Sequence, residues 1–283
     1  MMAKKACEAN QSKPGAVKPR TGTKEWSKDT VNIQMGCEHG CRYCYARQMM
    51  VDWLKKCPAE QWAHPVINNS AVDAEYKRID GVVMFPSTHD ITQRNLAQCL
   101  CVLRKLLDAG NQVLIVSKPH WECITLICET LKEYKSQIMF RFTIGSRSDE
   151  LLSFWEPYAP RFHERLACLE YAWKCGYQTS VSCEPYLDMN VKDLFATVAP
   201  YITDSFWIGK LRDLNRRVDL TTLTPDQIDR YVNPLRAACS DEAVRTIYNQ
   251  LEGFKPATLT ACKFVKWKDS IREVIEKDEI SKK

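Results

Sequence analysis

Cys37, Cys41 and Cys44 stand in the stretch Gly36-Cys37-Glu38-His39-Gly40-Cys41-Arg42-Tyr43-Cys44-Tyr45-Ala46, a C-x3-C-x2-C spacing. One tight loop at that spacing can turn three thiolates toward a single metal centre. Thiolates favour soft metals, so an iron–sulfur cluster and zinc are the two candidate occupants. A closed structural site of either kind takes four ligands, and three cysteines leave one position for a reactant. Zinc would need His39 or His89 to complete its set. Tyr43 and Tyr45 flank the last cysteine with aromatic walls.

Such a loop needs a rigid frame. Val31-Asn32-Ile33-Gln34-Met35 alternates apolar and polar residues and predicts a strand entering the loop. Residues 45–56 predict a helix after it, ended near Pro58. The runs 82–85, 113–116, 138–144, 178–183 and 205–208 read as buried parallel strands. Amphipathic stripes lie between them: Leu96, Leu100, Leu103 and Leu107 before Gly110; Ile124, Ile127 and Leu131; Leu166, Leu169 and Trp173 before Gly176; and a helix near 191–199. Six strand–helix units predict an α/β fold with a parallel sheet and right-handed crossovers. Six are too few for the complete eight-unit barrel. From residue 220 the pattern changes to helices alone, with Thr224 and Pro225 as a helix start and helices over 241–252 and 267–279. The chain therefore divides into a basic arm (1–24), a barrel (25–220) and a C-terminal helical appendage (221–283).

Polar residues follow each strand, so they should gather at the carboxyl ends, where such folds bind ligands. Ser87, Thr88 and Asp90, then Lys118, Ser146 and Glu184, take these positions in turn. Thr88 or Asp90 could equally cap a helix, and Ser146 could equally serve its turn. Glu184 ends an apolar strand, where an ionised carboxylate needs a partner; Arg141 or a ligand would supply it. Lys210, Arg212 and Asn215 follow the sixth strand and are the substrate-side candidates.

With 45% apolar residues, a chain of 283 can bury a sizeable core. No run of ~18 apolar residues suggests a membrane span. A lysine-rich N-terminus without an apolar segment argues against secretion. The 14 cysteines then read as thiols in a reducing cytoplasm, many of them packed as small hydrophobes. The net charge of +5 lies entirely in residues 1–28, and the remaining chain is neutral. A nucleic-acid enzyme usually carries its basic stripe on the folded body, so the distribution weighs against nucleic acid as the partner.

The cysteine stretch resembles the cluster loop of radical S-adenosylmethionine (SAM) enzymes, in the branch related to spore photoproduct lyase. The likeness is strong over 30–48 and extends as a pattern to about residue 212. It implies a partial (β/α)6 TIM-like barrel. It also implies a [4Fe–4S] cluster held by Cys37, Cys41 and Cys44, with SAM on the fourth iron. An external one-electron donor such as flavodoxin or ferredoxin would reduce the cluster. SAM would be cleaved to a 5′-deoxyadenosyl radical that takes hydrogen from an unidentified substrate. Tyr43 would sit in the cofactor site. Ser87, Thr88 and Asp90 match the family's turn near the SAM amino group, Ser117-Lys118 the pair at its carboxylate, and Ser146 a residue at its ribose or carboxylate. Glu184 would face SAM or substrate. Spore photoproduct lyase carries a hydrogen-donating cysteine around the second-strand turn. None occurs between Ser87 and Asp90, which argues against photoproduct repair. A photoproduct-type repair lyase and a non-catalytic protein with a structural metal loop are the alternative functions.

Overall fold

The computed structural model describes residues 21–252 and 264–281. Seven strands form one parallel sheet in the order β1 (Asp29–Thr30), β4 (Val82–Phe85), β5 (Gln112–Ser117), β6 (Ile138–Thr143), β7 (Gln178–Cys183), β8 (Ser205–Ile208) and β9 (Phe264–Trp267). β2 (Gln34–Met35) and β3 (Val66–Ile67) form a separate antiparallel pair. Side chains from the ends of β4 to β9 line one shared cavity, so the sheet curves into a partial barrel. Its edges, β1 and β9, do not pair with each other.

After the cysteine loop come α1 (Tyr45–Arg47), which continues as a wider π-type turn over Gln48–Trp53, and α2 (Asn69–Asp73). The crossovers are α3 (Leu96–Asp108), α4 (Trp121–Thr130), α5 (Asp149–Trp155), α6 (Phe162–Lys174) and α7 (Val191–Val198). α3 shows why they form: Cys99, Val102, Leu103, Leu106 and Leu107 repeat at helical spacing and are all buried. Gly110, at φ +81°, supplies the left-handed turn that ends it. Beyond β8 lie α8 (Leu214–Arg217), α9 (Pro225–Gln227), α10 (Asn233–Ala238), α11 (Asp241–Leu251) and α12 (Asp269–Ser281). Thr224 caps α9 in a reciprocal capping box with Gln227. Among the described residues no helix is long and apolar enough to cross a membrane.

The two faces of the sheet differ. Val83, Phe85, Ile115, Phe140, Phe142, Val181, Phe206 and Ile208 point outward beneath the helices and are fully buried. Each such side chain contributes roughly 1.5–3 kcal/mol. The alternate residues Arg141, Thr143, Ser180, Ser182, Ser205 and Trp207 occupy the inner face. A parallel barrel lumen is usually filled by branched apolar side chains; here Met84, Leu114, Val116 and Met139 keep that character on β4 to the start of β6, while the rest of the inner face is largely polar.

The structure corrects several expectations. The first sheet strand is 29–30; Val31 N–H still donates to Met84 O (2.9 Å), the chain leaves the sheet from Asn32, and of the expected strand 31–35 only Gln34–Met35 is a strand, paired with β3. Asn32 Oδ1 accepts from the Ser87 and Thr88 N–H groups (2.8 and 2.9 Å), taking the chain out of the ladder. Residues 221–283 are not helices alone, because β9 pairs with β8 throughout and extends the sheet. Phe264-Val265-Lys266-Trp267 has the residue types of a strand, but no clean alternation and only four residues. Trp173 is 40% exposed rather than inward; the buried stripe of α6 runs through Arg165, Cys168, Leu169 and Ala172. A 3₁₀ turn at Gly22–Glu25 is bonded to the C-terminal region, where Lys268 Nζ donates to Gly22 O (2.8 Å) and meets Glu25 (3.0 Å). Of the flexible arm expected over 1–24, residues 1–20 lie outside the described residues.

Candidate active site

The cysteine loop is held by its backbone. Gly36 has φ +92°, and a Cβ there would come within 2.6 Å of the Trp62 carbonyl oxygen, so only glycine fits. The Cys37 N–H donates to that same carbonyl at 2.9 Å. Cys44 caps α1, its Sγ accepting from Arg47 N–H at 3.4 Å. Cys37, Cys41 and Cys44 are free thiols that line a cavity of about 630 Å³ at the carboxyl ends of the strands. Burial, with Asp90 nearby, pushes the Cys37 thiol up to about 12. Burial raises Cys41 well above its ordinary value, opposed by Lys118. Thiolates here require a cationic counterpart.

Asp90 ties its own turn to the end of β5 and to the cysteine loop. Its Oδ1 accepts from Ile91 N–H (2.9 Å) and from the Ser117 hydroxyl; its Oδ2 accepts from Lys118 N–H (2.9 Å). His39 Nδ1 stands 3.3 Å from Oδ2, at ion-pair distance but out of hydrogen-bond alignment, and His39 Nε2 lies 2.8 Å from His120 Nε2. Burial would raise the Asp90 pKa, but His39, Lys118 and the Ser117 hydrogen bond hold it well below the usual carboxylate range. His89 Nδ1 donates to Asp90 O (3.0 Å), and Nε2 accepts from Ile33 N–H (3.1 Å), so the ring is neutral with both nitrogens engaged. Ser87 is tied too, its Oγ accepting from Asn32 Nδ2 at 2.9 Å.

A second buried group supports Tyr43. The Tyr43 hydroxyl donates to Glu156, which also holds Arg165, and neither partner of that ion pair is exposed. Burial would raise the Glu156 pKa, but Arg165 and Lys118 bring it below its ordinary value. The Lys118 ammonium lies 5.9 Å from the Tyr43 ring centroid. Burial opposes its charge, yet Cys41, Glu156 and Asp90 raise its pKa above the usual lysine value. It remains a cation facing the thiols.

Across the cavity, Glu184 pairs with Lys268 at 3.5 Å. Burial still raises its pKa, with Lys268 only partly offsetting. Arg141, the expected partner, instead pairs with Asp204 at 3.4 Å. Lys210 reaches Asp241 (3.1 Å), and Arg212 lies between Asp269 (3.4 Å) and Glu273 (2.8 Å). Of the residues singled out in the sequence, Tyr43, Ser87, Thr88, Asp90, Lys118, Glu184, Lys210 and Arg212 line the cavity with the three cysteines. Ser146 and Asn215 are outside its lining. Ser146 donates to Asp188 and accepts from Ser148 N–H (2.9 Å), while Asn215 accepts from Arg236 (3.1 Å).

No family model matches the chain. Spore photoproduct lyase complexed with dinucleoside spore photoproduct superposes with a TM-score of 0.54 at 15% identity, over 84% of this chain and 75% of that one. A second spore photoproduct lyase structure gives 0.53 at 17% identity, over 90% and 79%. This chain has the spore photoproduct lyase fold. In sequence it is similar to uncharacterized protein ORF301 of Acidianus two-tailed virus, 27% identical over 171 residues. It is also similar to uncharacterized protein MJ0683 of Methanocaldococcus jannaschii, 25% identical over 177 residues. The matches cover 56% and 61% of this chain, and 56% and 66% of the two relatives.

Glu156, Arg165, His120 and Lys268 were not singled out as site residues from the sequence. Arg165 had a signal, since a charged residue on the apolar stripe of a helix needs a buried partner. Arg217 had one too, as part of the basic run with Lys210, Arg212 and Arg216 that could form a patch at the barrel mouth. Lys268 had none, because it reaches the cavity only through the folding of the region after β8.

Proposed function

We propose that the chain is a radical SAM enzyme that acts on a substrate held at the carboxyl ends of its strands. The observation that carries this is the set of three free thiols on one loop, facing a small-molecule-sized cavity with the Lys118 cation on its wall. The donor set fits an iron–sulfur cluster better than zinc. Among the described residues, no three His, Cys, Asp or Glu side chains converge on a single ion. His39 and His89, the two candidates for a fourth zinc ligand, have nitrogens turned to other partners. A cubane cluster needs only that each thiolate reach a different iron. When bound, the cluster and SAM supply one-electron cleavage of SAM and hydrogen abstraction.

The chain's own residues would do the rest. Cys37, Cys41 and Cys44 hold the cluster, and Lys118 attracts the SAM carboxylate as a point charge. Ser87 and Thr88 border the SAM amino end. Asp90, with both oxygens engaged, fixes the loop positions more than it offers a free acceptor. Glu184, Lys210 and Arg212 face the substrate side. Flavodoxin or ferredoxin is the proposed class of electron donor.

The fold also supports a second reading, repair of a DNA photoproduct. It lacks a hydrogen-donating thiol: among the described lining residues the only cysteines are Cys37, Cys41 and Cys44. The test is anaerobic reconstitution followed by metal analysis and dithionite reduction with SAM. About four irons per chain and slow release of 5′-deoxyadenosine are expected. Stoichiometric zinc without visible absorbance would sink the proposal.

A further inference from the structure

The cations around the cavity are not equivalent. Lys268, Lys210 and Arg212 each lie within ion-pair distance of at least one carboxylate. Lys24 sits exposed on the rim. Two others, Lys118 and Arg217, line the cavity and make no ion pair among the described residues. The proposed function gives Lys118 to SAM, which leaves Arg217.

Arg217 is the last residue of α8 and is held in place by its neighbours. Gln48 Nε2, from the turn after the cysteine loop, donates to Arg216 O at 3.0 Å, and Arg217 N–H donates to Asp213 O at 3.0 Å. The guanidinium carbon stands 5.1 Å from the centroid of the Tyr45 ring, next to the last cysteine. Its Nε is buried and has no hydrogen-bond partner among the described residues. Burial lowers its pKa below the ordinary arginine value, with Asp213 and Glu184 only partly offsetting. The side chain as a whole is only half-buried, and it lines the cavity with no carboxylate paired to it among the described residues, which leaves its terminal nitrogens for a ligand. The guanidinium fork matches a carboxylate or phosphate through two parallel hydrogen bonds, and the Tyr45 face orients it beforehand.

We propose that Arg217 anchors an oxyanion, phosphate or carboxylate, carried by the substrate, and that the substrate is therefore an anionic molecule. This inference rests on the radical SAM reading, because that reading assigns the cysteine side of the cavity to SAM.

The test uses the full chain, isothermal titration calorimetry, and two probes: inorganic pyrophosphate for the phosphate source and succinate for the carboxylate source. The parent is expected to bind one of them at millimolar concentration or below. Arg217→Gln should weaken that probe tenfold or more, Lys118→Met should weaken it less, and SAM affinity of reconstituted Arg217→Gln should stay within twofold of the parent. Matching thermal melts would show that the variants are folded. The inference is overturned if neither probe binds the parent, if Arg217→Gln binds as tightly as the parent, or if its main loss is in SAM affinity. The calorimetry needs no metal, so a failed iron analysis would remove the cluster reading without changing the anion result, and the reverse also holds.

Discussion

The barrel has a cavity at each end, and the two differ in what their polar groups are doing. The one at the amino ends, about 270 Å³, is lined by Trp26, Arg141, Asp204, Trp207 and Lys266 among others. Its main cation is already occupied: Arg141 donates to Ser180 Oγ (2.9 Å), pairs with Asp204, and lies over Trp26 and Trp207 at 4.9 and 5.4 Å. The one at the carboxyl ends holds three free thiols and, besides exposed Lys24, two cations with no ion pair among the described residues. The same strands feed both. Reactive groups left open by the protein, rather than polarity itself, mark the end where chemistry is expected.

The largest test of that contrast is removal of the thiols. Cys37→Ala, Cys41→Ala and Cys44→Ala should each abolish iron incorporation, read by metal analysis and visible absorbance. Substitutions at Cys99 or Cys168, buried among the helices, should leave it intact. Retention of full iron by any of the three loop variants would break the assignment of that end.

The next effect is on stability, at the support beneath Tyr43. Glu156→Gln removes one partner of a fully buried pair and should cost about 3–5 kcal/mol. The parent also carries a pH signature. The folded Glu156 pKa lies below its unfolded value of about 4.3. Its contribution is therefore complete above that value and is lost as pH falls through the folded pKa. Urea unfolding from pH 7 downward should show a shallower acid loss in Glu156→Gln than in the parent. Parallel curves would mean that the carboxyl is not ionised in the fold.

Lys118→Ala should weaken SAM binding by about 1.5–3 kcal/mol, the size of one hydrogen bond to a charged group. Equilibrium binding to reconstituted protein measures it. Unchanged affinity would move the SAM carboxylate elsewhere, with Arg217 the first place to look.

The smallest effect concerns nucleic acid. Deleting residues 1–20 should remove any DNA affinity, which in the parent should be non-specific and fall steeply with salt. Irradiated thymine-containing DNA should not be repaired. Preferential turnover of irradiated over plain oligonucleotides by the truncated protein would reverse the choice between the two functional readings.

The cysteine spacing, the strand–helix alternation and the polar turns were readable from residue order because each depends on near neighbours. Hydrophobic period sets the element, and the residue after a parallel strand comes out at the carboxyl end whatever the rest of the chain does. Lys118 and Glu184 were found that way. What tertiary structure decided was pairing across long separations. Lys268 meets Glu25 and Glu184, Arg165 meets Glu156, His39 meets His120, and Arg141 takes Asp204 in place of Glu184. A charge in the sequence announces only that it needs a partner; which carboxylate answers depends on how the sheet curves and where its edge strands fall. The seventh strand has the same cause, since a four-residue edge carries too little periodicity to be distinguished before β8 is there to pair with it.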